Sequence, residues 1–265
     1  MKIWAIARNT LQGLLRNKVI ILFVAIFLCV LLLMTSPILF VRAEARTHSA
    51  SYAEGMVLGL VGFIMTMVSG FGSLLAAWSA ADAVAGEMRS GTVLAVMARP
   101  VRRWEFLLGK YLGVQLLMAV YVVAMLGFSY LLAWIGGQRI HAAAWVLIVY
   151  PLARYAIYSA IAVLLVTRMH PIVGFGIVMV ISVLAMLAAP GARSFLPEYV
   201  HTGLYYLLPS TELLSESRFL TLTQSALKPV SWSEHAMTLA YGLDYAAVLF
   251  LLAAWSFRRN SLSRD

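Results

Sequence analysis

Two charges stand inside long apolar runs: Arg154 between Ala142 and Val166, and Asp244 between Trp232 and Phe257. A charge in hydrocarbon costs several kcal/mol, so each must pair, face a wet cavity or serve a passing solute. At 1.5 Å of rise per helical residue the two lie at similar depths, because both runs cross in the same direction. A buried Arg154–Asp244 salt bridge that fixes helix register is the structural expectation. A part in substrate passage or gating is the functional one, and no proton relay is expected. The five histidines, His48, His141, His170, His201 and His235, form no i, i+4 pair and no H-E-x-x-H motif. They are read as loop or interface residues, with no metal site. No G-x-S-x-G elbow and no G-x-x-x-x-G-K-[ST] phosphate loop occurs, so nucleophilic chemistry and ATP binding by this chain are both disfavoured. Cys29 is the only cysteine, which excludes an internal disulfide and a Cys-rich metal centre.

The remaining charge is concentrated in one polar island, Ala81 to Lys110, between two apolar runs. Two acids come first (Asp82, Glu87), then an apolar patch from Thr92 to Ala98, then Arg99, Arg102, Arg103 and Lys110. Gly91 breaks a continuous helix and Pro100 ends a second short one. The patch, with Val93, Leu94 and Val96, is therefore predicted to be a short helix outside the membrane, presented to a partner. An ordinary loop with a basic edge facing the membrane is the alternative.

The order Glu87, Gly91-Thr92, Arg99-Pro100-Val101, Arg103 and Gly109-Lys110 resembles the first cytoplasmic loop of the ABC type-2 permease family. Within that family it is similar to the permeases of nitrous-oxide-reductase maturation systems. The sequence departs from the family pattern at Leu94-Ala95-Val96, which are apolar where the family carries an acid soon after Gly-Thr. The resemblance implies a coupling helix that docks on a separate ATPase subunit. Glu87, Gly91, Thr92, Val93, Leu94, Val96, Arg99, Pro100, Arg103, Gly109 and Lys110 are its coupling residues. Thr92 to Ala98 would fill a groove in the ATPase, while Glu87, Arg99 and Arg103 set orientation. ATP and Mg would be held by the partner, and no cofactor is expected on this chain. The resemblance also implies export and a second permease copy, as a homodimer or a related heterodimer.

The elements that position these residues follow from composition. Of 265 residues, 62% are hydrophobic and 12% charged, too apolar for a soluble domain and suited to an all-α polytopic membrane protein. Residues 1–18 put Ile3, Trp4, Ala7, Leu11, Leu14 and Leu15 at helical spacing, which predicts an amphipathic helix in the headgroup plane. The apolar run after it is too long for the core of a cleaved signal peptide. Six spans are predicted, at about 19–41, 56–80, 111–135, 142–166, 172–189 and 232–257, all within one permease domain. Pro151 and Arg154 interrupt the fourth. Residues 81–110 form the cytoplasmic coupling loop. Residues 190–231 form an extracytoplasmic loop whose aromatic residues suit short helices and an interfacial belt.

With both termini inside, 13 of the 20 basic residues lie on the inner face and 6 on the outer. The net charge of +9 then belongs wholly to the inner face, as the positive-inside rule requires, and nucleic acid need not be invoked as a partner. The expected location is the bacterial cytoplasmic (inner) membrane, in contact with its lipids. Three functions follow in order. The first is the membrane subunit of an ATP-driven exporter. The second is mechanical signalling to an extracytoplasmic protein through residues 190–231, without solute passage. The third is a stand-alone membrane protein.

Overall fold

The computed structural model describes residues 2–44, 50–89, 102–135, 144–188, 197–210, 213–214 and 232–259. These residues form helices and no strand: α1 (Lys2–Leu15), α2 (Lys18–Glu44), α3 (Ala50–Arg89), α4 (Arg103–Ile135), α5 (Ala144–Val166), α6 (Pro171–Leu187), α7 (Glu198–Leu207) and α8 (Trp232–Arg259). In lipid every backbone amide must be satisfied within its own segment, which only a helix achieves for runs this apolar. Among the described residues four stretches are long and apolar enough to cross a membrane: Thr66–Gly86, Arg103–Met125, Ile148–Val166 and Trp232–Arg258. A fifth crossing results if α1 and the adjoining part of α2, bent by 61°, count as one. The sequence predicts six. The segment expected at 172–189 forms α6, whose 17 residues fall short of the roughly 20 that a bilayer needs.

Helices replace much of the expected loop 81–110. α3 runs for 40 residues and continues past Ala80 to Arg89. The reason is burial. Ala81, Ala83, Val84 and Ala85 are all buried, and alanine is the best helix former, so the two acids Asp82 and Glu87 do not stop the helix. At the other side α4 starts at Arg103, eight residues before the apolar run. The Arg102 backbone N–H donates to the Glu105 carboxylate at 2.9 Å, the reciprocal half of a capping box. The predicted interruption of the fourth span is also absent, since α5 passes through Pro151 without a break. Proline removes one backbone donor, and neighbouring helices in a membrane bundle compensate.

The centre of the molecule is α3, α4 and α5, with α8 laid along α5 and α1 along α4. Ala76, Ala77, Ala80 and Ala81 are fully buried on α3, and such small side chains let helices approach closely. α2, α6 and α8 face outward with exposed Leu22, Leu33, Val180, Val183, Leu251 and Trp255. Arg16, Arg103, Lys110, Arg168 and Arg258 collect at one end of the bundle, the basic end, from which α3 leaves and α4 returns.

Candidate functional site

The basic end is built from helix termini. Asn17 sits between α1 and α2. Its Oδ1 accepts from the Val19 N–H at 2.9 Å, which caps the α2 N-terminus. Its Nδ2 donates to Asp82 Oδ2 at 2.6 Å, which ties the elbow to α3 at the basic end of the bundle. α1 lies on α4 over two glycines. A Cβ on Gly109 would stand 2.7 Å from the Ile6 side chain, and one on Gly113 would stand 2.6 Å from Thr10 and 2.8 Å from the Ala7 carbonyl. Ala7, Thr10 and Leu14 are the buried face of α1. Trp4 and Leu15, expected on its apolar face, are exposed instead, because the glycine groove of α4 selects the face one step round.

Further contacts close this end. Arg103 Nη1 donates to the Arg258 carbonyl at 3.4 Å, a cation against the C-terminal turn of α8. Phe106 stacks on Phe257 at 6.4 Å, and the Lys110 ammonium lies 5.7 Å from the Phe106 ring centre. In the α5–α6 turn, Arg168 Nε donates to Ser256 Oγ at 2.8 Å, and Thr167 Oγ1 shares a hydrogen bond with the same hydroxyl. A cleft of about 290 Å³ opens between α1, α3 and α4, bordered by Gln12, Arg16, Asp82, Gly86 and Lys110.

Of the expected coupling residues, Gly91, Thr92, Val93, Leu94, Val96, Arg99 and Pro100 lie outside the described residues. Glu87 falls on α3, in its last turn. Arg103, Gly109 and Lys110 are in the first two turns of α4. Gly109 has a packing part that the motif alone does not reveal, and Lys110 is 5% exposed. Asn17 and Asp82 were not singled out as a pair. The readable signal was an N-cap residue between two apolar helices; nothing in the spacing told which acid it meets.

Arg154 and Asp244 lie at one depth but are not brought together. Gly242 faces α5, where a Cβ would meet Ala153 at 3.2 Å. Two residues further is about 200° round the helix, so Asp244 points away from α5 and is exposed, while Arg154 is half-buried. Other polar groups stitch the interior. Tyr121 donates to the Val68 carbonyl at 2.9 Å, Tyr111 to the Ala156 carbonyl at 2.9 Å, and Gln115 to Ser159 Oγ at 2.6 Å. At the end opposite the basic one, buried Tyr150 bonds His235 Nδ1 at 2.7 Å, and Tyr241 accepts from the Ser210 N–H at 2.9 Å. His201 is buried on α7 and stacks on Tyr205, so it is a packing residue. His170 stands at the N-cap position of α6 and makes no side-chain capping bond, and His48 and His141 lie outside the described residues. Among the described residues no group of His, Cys, Asp and Glu could hold a metal ion.

Among the described residues the site is a set of packed and hydrogen-bonded helix ends. Three helix ends are cross-tied where two of them run into residues 90–101. Residues 4–262 match the family described as ABC-2 family transporter protein. A stretch of 130 residues is 32% identical to a Pseudomonas aeruginosa protein named "Probable ABC transporter permease protein NosY", covering 48% of this chain and 43% of that relative.

Proposed function

The chain belongs to the ABC-2 transporter family and is a membrane subunit of an ABC transporter, and we propose that it couples ATP hydrolysis on a separate ATPase chain to export. Residues 90–101 dock on the ATPase, with Thr92 to Ala98 filling its groove and Glu87, Arg99 and Arg103 setting orientation. ATP and Mg stay on the partner. Two permease copies, identical or related, enclose the path, six spans cross the bacterial inner membrane, and both termini lie in the cytoplasm. The observation that carries this reading is the family match across 4–262, joined to helices that lead rigidly into both sides of the docking segment.

A second reading, mechanical signalling to an extracytoplasmic protein, is favoured by α7. It exposes Tyr199, Tyr206 and Leu207 on a segment held to α8 through Ser210 and Tyr241.

The test is affinity purification of the tagged chain from its native cell in mild detergent. An ABC ATPase is expected to co-purify, and to be lost when Thr92 to Ala98 is replaced by a Gly/Ser run. Absence of any ATPase from the intact complex overturns the reading. A stable partner on the outer side, with no solute moved, selects the second.

A further inference from the structure

Asn17 has two hydrogen-bonding ends, and they do different work. Its carbonyl caps α2, and its amide holds the Asp82 carboxylate of α3 at 2.6 Å. Both side chains are half-buried, where a charge-assisted bond is stronger than in water. The chain bends by 61° at this point. On one side of the bend, α1 is fitted into the Gly109 and Gly113 groove of α4. On the other, α2 packs mainly on α3 and outward. Asp82 stands two turns before the end of α3 at Arg89, after which the chain enters residues 90–101. A displacement of those residues must reach α3 and α4 first. α1 follows α4 because its backbone lies against the glycines. α2 has at this end the Asn17–Asp82 bond.

We propose that Asn17 and Asp82 form a latch that sets the α1–α2 elbow by the position of the inner end of α3, so that ATP-driven movement of residues 90–101 re-aims α2. Both are positioning residues. The inference rests on the reading of residues 90–101 as the ATPase-docking segment. The latch can be broken without removing the cap, because aspartate is as good an N-cap as asparagine. Asn17→Asp keeps an acceptor for the Val19 N–H, loses the amide donor, and sets a carboxylate against a carboxylate. Asn17→Asp combined with Asp82→Asn rebuilds a donor and an acceptor with the polarity reversed.

The experiment measures electron-spin distances across the elbow, between labels at Arg8→Cys on α1 and Ile26→Cys on α2. Both positions are exposed, and exposed Cys29 is first changed to Ala. In the full chain alone, Asn17→Asp is expected to broaden the distance distribution and the double exchange to restore it. In the complex with its ATPase, ATP is expected to shift the distance. Asn17→Asp abolishes that shift while ATP hydrolysis continues, and the exchange recovers it. A distribution untouched by Asn17→Asp overturns the latch, as does an exchange that behaves like Asn17→Asp. A complex that hydrolyses ATP with no elbow shift overturns the transmission while the proposed function stands. Failure of any ATPase to bind removes the proposed function, and the distances in the chain alone still decide whether the latch holds the elbow.

Discussion

Gly72 shows how much a single position on α3 decides. A Cβ there would overlap the Tyr155 hydroxyl and come within 2.8 Å of the Tyr121 ring, and both tyrosines aim at the Val68 carbonyl one turn earlier. Gly72→Ala is therefore expected to destabilise the protein by about 1–3 kcal/mol, the usual cost of overpacking. In combination with Tyr155→Leu the two losses should be strongly non-additive, since the second change removes the atoms that the first displaces. Reversible unfolding in bicelles measures both. The same method applied to Arg154→Ala, Asp244→Ala and the double variant should give losses that add to within about 0.5 kcal/mol, because the two side chains leave their helices in different directions. A large coupling term would restore the ion pair that depth alone suggested. Depth was legible in the sequence, as the Ala153–Gly242 contact shows. Direction was not, since rotation of α8 about its axis is fixed by Gly242 and by buried Leu214 seated on it, and no periodicity in the sequence announced them.

At the scale of elements, the long apolar segments were legible because only a helix satisfies its backbone within its own segment in lipid. Their ends were not. The polar island looked like loop from Ala81 to Lys110, yet buried alanines carry α3 to Arg89 and a capping box starts α4 at Arg103. Charge marks where a chain leaves hydrocarbon, and a helix can continue well past that point. The docking of α1 on α4 was half visible. Gly109 and Gly113 are spaced four apart, the small-xxx-small signature of close helix approach, but Gly109 was read only as part of a loop motif. Gly113→Leu is expected to lever α1 off α4 and to cost about 1–3 kcal/mol. Gly70→Ala on α3 meets open space and should be neutral or stabilising by up to about 1 kcal/mol. Thermal unfolding in detergent separates the two.

Taken whole, the molecule has a tyrosine- and alanine-rich interior, a cross-tied basic end, and a periphery of bare apolar side chains on α2, α6 and α8. Composition and the asymmetry of Lys and Arg foretold that division. What they left open is whether α6, at 17 residues, crosses the bilayer, and the six-span reading depends on it. At 1.5 Å per residue α6 is about 25 Å long, against about 30 Å of hydrocarbon, so a crossing needs local thinning or flanking residues that reach the interface. His170 and Arg168 precede it at the basic end, and Ile172, Val173, Val180 and Val183 are exposed along it. An arginine placed on that exposed face then reports depth. Val173→Arg, less than one turn from the start, can extend to the headgroups and should cost little. Val180→Arg, near the middle, should cost about 2.5–3.5 kcal/mol if α6 spans the core. Equal and small costs at both positions, measured by unfolding in bicelles, would place α6 at the interface and leave the chain with an odd number of crossings. In that case its two ends would lie on opposite faces, and the basic residues that end α8 could not share the side of the membrane on which residues 90–101 are proposed to meet an ATPase. The contact of Arg103 with the Arg258 carbonyl, which joins those two regions at one end of the bundle, argues for the full crossing.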